Sequence, residues 1–317
     1  MIRVDLITGF LGAGKSSFLL RYAGHLLSRG MRLGILVYDH GAVNVDLPLL
    51  NSLRSDRCEL ETLAASCDAD CHRRRFRSRL ISMAMCGYDR ILIEPSGVFD
   101  MDEFFDAMHE EPLDKWLEIG NVICIVDAKL PDESLPEEDY FLASEAACAG
   151  AVVLSRVQLA SKGELLQAVV HLRSALRDIG SSEDLNGRLC ASDWAELTET
   201  ELDAISRCGY RLPDYVKRYS GSAGFQALSF LNLPLGIDAL REKTCELFGD
   251  PAFGRILRVK GFFLDAGSSY ELNATEHACS IREAADSHGV ITVIGRDLNE
   301  NAIHLLLTGK QPILHIL

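Results

Sequence analysis

No run of about 18 apolar residues occurs in the chain, which excludes a membrane-spanning helix. The first ten residues, MIRVDLITGF, hold Asp5 inside the first apolar run and lead straight into a strand pattern, so a secretory signal is not expected. Positive charge is also short: 32 basic residues stand against 46 acidic ones, a net charge of −14. A nucleic-acid binder usually carries a basic face or excess, so neither nucleic acid nor membrane is an expected partner. Ten cysteines in 317 residues are too dilute for a secreted disulfide framework. A reducing cytoplasm is the compartment that suits them, and Cys124, Cys148 and Cys245, among apolar or helix-forming neighbours, are expected to be small buried hydrophobes. There is no internal repeat and no low-complexity tract. What is present is 48% hydrophobic and 25% charged, ordinary for a globular chain. The length favours two domains.

The first half alternates strand-like and helix-like segments. Residues 3–7, 33–38, 90–94, 122–127 and 151–154 read as strands, and 16–28 as a helix that stops near Gly30. Continuous apolar strands between helices indicate a parallel sheet covered on both faces. Residues 162–210 read as helical with a weak middle near Ser181. The Gly/Ser-rich stretch 219–224 is the linker candidate. Beyond it, 237–248 and 297–307 read as helices, and 256–264, 269–272 and 290–294 as strands. The expectation is an α/β fold with a parallel sheet over residues 1–218 and a smaller α+β domain over 224–317.

Gly9-Phe10-Leu11-Gly12-Ala13-Gly14-Lys15-Ser16 fits GxxxxGK[ST] directly after a strand and directly before a helix, followed by Ser17. The glycines let the backbone wrap a phosphate. The loop amides and the helix N-terminus then face the negative charge. Lys15 is expected to reach the β- and γ-phosphates and Ser16 to ligate Mg²⁺. The pattern marks a nucleotide phosphate site, a P-loop, and leaves the base and turnover open. Glu94 ends a strand before Pro95-Ser96-Gly97, and Asp39 ends its neighbour. In a parallel sheet the ligand lies beyond the carboxyl ends of the strands, so either acid can serve Mg²⁺, with Gly97 letting the backbone approach the γ-phosphate.

Together, GFLGAGKSS, ILIEPSG, VICIVDA and the C-terminal RVKGFF with VITVIG resemble the CobW-type P-loop GTPases, relatives of the UreG and HypB metal-insertion GTPases in the SIMIBI class. The resemblance runs over most of the chain. It implies GTP binding, slow hydrolysis and a role in delivering or guarding zinc, cobalt or nickel. Carried over by position, Lys15 and Ser16 match the P-loop and Glu94 the Walker B acid. Asp39 stands in the place of the first Glu of the segment that usually reads NEFGEVGID. Asp46 keeps its final Asp, and Ala42 replaces an acid.

Two motifs depart from the family. Where relatives read CxCC, this chain reads Ser66-Cys67-Asp68-Ala69-Asp70-Cys71-His72. Two thiolates and an imidazole suit a borderline-soft divalent ion, so Cys67, Cys71 and His72 are the candidate transition-metal ligands for Zn²⁺, Co²⁺ or Ni²⁺, with Cys58 and His40 as further candidates. The alternative is a pair of reduced loop cysteines. Where relatives read NKxD, this chain reads Ser155-Arg156-Val157-Gln158. Arg156 can stack on a base, but Gln158 lacks the charged bidentate acceptor. GTP is expected as the nucleotide, with weakened guanine selectivity and ATP still open.

The basic run Arg73, Arg74, Arg75, Arg77 and Arg79 spreads around a helix rather than forming one stripe. A solvated face balancing acidic neighbours is the simpler reading, and docking to an acidic client the sharper one. The C-terminal histidines lack ligand spacing, and His304 is expected to be a satisfied core or boundary histidine rather than a ligand. The functional expectation is a nucleotide-dependent metallochaperone or assembly factor for a metal or cobalamin cofactor. Its partner would be a client metalloprotein or corrinoid protein, and a homodimer is left open. The alternative is a nucleotide-gated regulator with little hydrolysis.

Overall fold

The computed structural model describes residues 1–39, 47–64, 69–130, 134–182, 184–219, 224–276, 278–284 and 289–310. The described residues divide into two compact units, one holding residues 1–39 and 49–219, the other holding 47–48 and 224–310.

In chain order the first part contains β1 (Ile2–Thr8), α1 (Lys15–Ser28), β2 (Leu33–Asp39), the single turn α2 (Leu47–Leu50), β3 (Cys58–Ala64), α3 (Ala69–Ala84), β4 (Arg90–Glu94), α4 (Met101–His109), α5 (Leu113–Trp116), β5 (Leu117–Asp127), α6 (Pro136–Cys148), β6 (Ala151–Ser155), α7 (Lys162–Asp178), β7 (Leu189–Cys190) and α8 (Glu199–Ile205). The strands form one seven-stranded sheet in the order β3-β2-β4-β1-β5-β6-β7. Every pairing in it is parallel. β1 therefore lies inside the sheet with β4 and β5 on either side, and all carboxyl ends open on one edge. Strands buried on both faces need apolar residues throughout. β4 and β6 meet this, with every residue buried. In α1, Phe18, Leu19, Tyr22, Ala23 and Leu26 recur at helical spacing and are all buried. Gly30 ends the helix region in the left-handed conformation, φ +84°.

The acid in the first apolar run is the hub of a buried network. Asp5 is fully buried and accepts from Tyr22 at 2.7 Å, from Arg90 at 2.9 Å, and from the Asn121 amide and side chain at 3.0 and 2.9 Å. Arg90 and Asn121 also donate to the Ser206 carbonyl at 3.1 and 3.0 Å. Burial pushes the Asp5 carboxyl up, against the pull of Arg90, Tyr22 and Asn121. The network ties β1, β4, β5 and α1 to the segment after α8.

The second unit contains β8 (Phe225–Leu231), α9 (Ile237–Gly249), β9 (Arg255–Asp265), β10 (Ser268–Thr275), β11 (Ala278–Glu283), β12 (Val290–Arg296) and α10 (Glu300–Thr308). Its sheet is antiparallel in the order β11-β10-β9-β12-β8. Leu240 and Leu247 of α9, and Ile303 and Leu307 of α10, share one core with Val259, Phe263 and Val293 of the sheet.

The structure adds four strands that the sequence pattern does not announce: β3, β7, β8 and β11. Each is an edge strand. Edge strands bury one face only, so their sequences alternate and mix in polar residues, as in CELETLA and FQALSFL. Cys124 and Cys148 are buried as expected, but Cys245 is exposed. It follows Thr244, which α9 turns inward with Leu240 and Leu247, and one step of about 100° carries its thiol out to solvent. His304 Nδ1 donates to the Lys310 carbonyl at 3.0 Å and lies 3.2 Å from the Thr308 hydroxyl, so its ring is satisfied. Of the linker candidate, 220–223 lie outside the described residues, as do His277, His288 and His315.

Candidate functional site: the nucleotide pocket

The P-loop spans the gap between β1 and α1, at the carboxyl edge of the sheet. Lys15 is 6% exposed, and its Nζ donates to the Gly9 carbonyl at 2.8 Å. The ammonium is thus folded back over its own loop, within reach of a phosphate seated there. Ser16 donates from Oγ to Glu94 Oε1 at 2.6 Å. β4 lies beside β1 in register, Leu6 opposite Ile93, so Glu94 emerges one strand away from the loop. A hydroxyl and a carboxylate that already touch form the oxygen pair a hard divalent cation takes. The residues present therefore fit Mg²⁺. The Asp39 side chain lies outside the described residues.

The turn after β4 packs directly on the P-loop. A Cβ at Gly97 would stand 2.5 Å from the Leu11 amide nitrogen and 2.7 Å from its Cα. Only a residue without a side chain lets the two backbones approach this closely. α4 begins just beyond, where Asp100 caps it by accepting from the Asp102 amide at 3.1 Å.

At the other end of the pocket, Arg156 takes the left-handed conformation, φ +55°. Its guanidinium pairs with Asp127, which ends β5, and donates to the Gly12 carbonyl at 2.9 Å. The group stitches the P-loop to the strand-end loops. Gln158 is exposed on the 3₁₀ turn Val157–Leu159. Ser17 is exposed and Ala13 buried.

Sequence reasoning passed over three residues here. Asp127 was visible only as part of the VDA string. Trp194, after β7, carried no motif. Glu145 sits in α6, a stretch to which sequence reasoning assigns no role, and it is fully buried. Burial pushes its carboxyl up to about 8, against the pull of the Lys15 ammonium and then of the Thr8 hydroxyl and the Phe99 and Gly9 amides. Neither Glu145 oxygen completes a hydrogen bond of normal geometry among the described residues, and the Thr8 hydroxyl does not either. The carboxyl lies behind the P-loop lysine, and its burial favours the uncharged form.

The transition-metal candidates are only partly described. Cys71 lies in the first turn of α3 and is half-buried. Cys67, Asp68, His40, Ala42 and Asp46 lie outside the described residues, as do the side chains of Asp70 and His72. Cys58 is buried on β3, and burial pushes its thiol up to about 11. No group of three or more His, Cys, Asp or Glu placed to hold a metal occurs among the described residues. Further along α3, Phe76, Leu80 and Met83 face the core. Arg77 pairs with Glu110 at 2.6 Å and Arg79 with Glu61 at 2.9 Å, so these two arginines balance acidic neighbours. A cavity of about 330 Å³ separates α3 from α4, with Arg73 and Arg77 on one wall and Glu103, Asp106 and Glu110 on the other.

Among the described residues, no helix is long and apolar enough to cross a membrane. The family model of the CobW/HypB/UreG nucleotide-binding domain matches residues 3–181. The zinc chaperone YjiA of Escherichia coli K12 is 29% identical over 178 residues, 52% of this chain and 52% of that protein. The zinc chaperone YeiR of the same organism is 27% identical over 143 residues, 44% of this chain and 42% of that protein. The chain thus spans about half the length of the curated relatives it matches. The crystal structure of Zn(II)-bound YjiA GTPase from E. coli aligns over 98% of this chain and 99% of that one, with 19% identity and a TM-score of 0.35.

Proposed function

The chain belongs to the CobW/HypB/UreG family, and on that premise we propose that it is a GTP-binding metallochaperone that hydrolyses its nucleotide slowly. The observation that carries the reading is the contact of Ser16 with Glu94 beside the P-loop lysine. It supplies the cation pair and the phosphate clamp in one place. Ser16 and Glu94, with Asp39, would hold Mg²⁺, whose charge offsets that of the β- and γ-phosphates. Lys15 leaves the Gly9 carbonyl for the phosphate oxygens. The loop amides of 12–16 receive the remaining charge. Gly97 keeps the turn after Glu94 close to the γ-phosphate. Water then cleaves the β–γ bond to give GDP and phosphate. Slow turnover is expected, because no water-orienting Gln or arginine finger stands out in the sequence.

The metal is cargo in this reading. Cys67, Cys71 and His72 would carry Zn²⁺, Co²⁺ or Ni²⁺, since thiolates and imidazole suit such ions, and the two curated relatives are named zinc chaperones. The recipient would be a client metalloprotein or corrinoid protein. The 1–218 region would be the nucleotide-binding domain and 224–317 the family's smaller C-terminal α+β domain. A second reading, a nucleotide-gated regulator with little hydrolysis, is favoured by one observation: Gln158 is an exposed amide where a charged base reader is needed. Loss of that charged contact weakens guanine selectivity by about 1–3 kcal/mol.

The test is displacement of a fluorescent nucleotide by GTP, GDP, ATP and ADP with Mg²⁺, followed by phosphate release with and without Zn²⁺. A tenfold or larger preference for GTP, about 1.4 kcal/mol, with measurable turnover, supports the chaperone GTPase. Equal binding of ATP without turnover moves the reading to the regulator. Absence of any nucleotide binding refutes both.

A further inference from the structure

We propose that Trp194 is the surface against which the base end of the bound nucleotide rests, replacing the charged base reader with an aromatic one. The inference deepens the nucleotide-site reading above and rests on it. Trp194 lies four residues beyond the end of β7, on the carboxyl edge of the sheet where ligands of parallel sheets sit. Its indole Nε1 donates to the Leu154 carbonyl at 2.9 Å. The opposite edge of the ring reaches the P-loop. Cη2 and Cζ3 stand 3.3 and 3.6 Å from where a Cβ on Gly14 would be. The ring therefore bridges the end of β6 and the residue that opens α1. Phe18 meets it in a T-shaped contact with centroids 5.5 Å apart.

The fit between Gly14 and the ring is mutual. Gly14 has φ +99°, and any side chain there would press on the indole. Ser155 shares the spot, its Cβ 3.7 Å from the same Gly14 position. Ser155 is 2% exposed, and its hydroxyl has no hydrogen-bond partner among the described residues. A buried hydroxyl without a partner is a cost that a ligand atom can remove. So an aromatic ring and an unsatisfied hydroxyl meet at the base end of a phosphate loop whose own charged reader is missing. Aromatic contact holds a base without distinguishing guanine from adenine, because every base has a π-face. Selectivity between them then falls to Ser155, Gln158 and main-chain groups.

The protein supplies its own probe. It has two tryptophans, and the other, Trp116, ends α5 just before the first residue of β5, on the opposite edge of the sheet. Intrinsic fluorescence would be followed in Trp116→Phe and Trp194→Phe proteins on adding MgGDP, MgADP or magnesium inorganic triphosphate. Affinities would be measured by displacement of a fluorescent nucleotide. The expected result is a nucleotide-dependent change kept in Trp116→Phe and lost in Trp194→Phe. Trp194→Ala should weaken GDP and ADP at least tenfold, by similar factors, and leave inorganic triphosphate unchanged. Should the alanine variant not fold, Trp194→Leu carries the same comparison. A fluorescence change lost with Trp116, or unchanged nucleotide affinity in Trp194→Ala, overturns the proposal. So does a parallel loss of triphosphate affinity, which would make Trp194 a prop for the P-loop alone. If the wild-type protein binds none of the three, the nucleotide-site reading itself fails, a different outcome from any of these.

Discussion

Gly97→Ala should cut nucleotide affinity through one backbone contact. Gly97 adopts no left-handed φ, so alanine is sterically admissible on its own dihedrals. What forbids it is the neighbour. The new Cβ would stand 2.5, 2.7 and 2.9 Å from the amide nitrogen, Cα and Cδ2 of Leu11. Carbon contacts settle at about 3.5–4.0 Å, so the shortfall is roughly 1 Å, and two of the three atoms are P-loop backbone that cannot rotate away. Overpacking of this kind costs about 1–3 kcal/mol. The strain can be relieved by shifting the P-loop or by drawing the turn, and Glu94 with it, away from Ser16. Either movement damages the pocket, so the loss should appear as roughly 5- to 150-fold weaker MgGDP binding. The control is Gly163→Ala in the first turn of α7, where a Cβ meets only Ser161 Oγ at 3.8 Å. That variant should bind as the wild type does and melt at the same temperature or slightly above. Fluorescent-nucleotide titration together with thermal denaturation separates the effects. Gly97→Ala binding within twofold of wild type, at an unchanged Tm, would refute the claim that the two loops are locked together.

Three further outcomes follow from the same geometry. Glu145 ordinarily titrates near 4.5 but is pushed up to about 8, so the native state keeps a proton that the unfolded chain loses. The wild type is therefore relatively most stable below about pH 4.5 and loses that stability as pH rises towards 8, by up to about 1.4 kcal/mol per unit. Glu145→Gln, which does not titrate, should gain in Tm over wild type progressively between pH 5 and 8 and then level off; a pH-independent difference counts against the buried neutral carboxyl. Arg90→Met strands the fully buried Asp5 carboxylate and should destabilise the fold by about 3–5 kcal/mol in urea titration. The affinity of the protein that remains folded should be unchanged, and a loss under 1 kcal/mol would show that Tyr22 and Asn121 suffice. Gln158→Asp restores a charged acceptor on the exposed 3₁₀ turn and should raise the preference for GTP over ATP about tenfold, or 1.4 kcal/mol; an unchanged ratio means that other groups read the base.

The amino-acid sequence by itself determined the P-loop, its place between a strand and a helix, and the position of Glu94 at the end of a buried strand. Those features are local: a fixed spacing of glycines, a lysine and a hydroxyl can do one thing well, and buried parallel strands must be apolar throughout. It determined the second unit's central strands and both its helices through their apolar periodicity. The edge strands β3, β7, β8 and β11 escaped because a strand buried on one face carries no continuous apolar run. Tertiary structure decided the rest. Only the register of β1 against β4 puts Glu94 onto Ser16, 78 residues away. Only the close approach of two loops explains Gly97. Asp5, Arg90 and Asn121 look like scattered polar residues until folding brings them to one buried hub. Trp194 and Glu145 belong to no motif: Trp194 meets Leu154, 40 positions away, and the Gly14 turn, and Glu145 faces Lys15, through packing that no local pattern encodes.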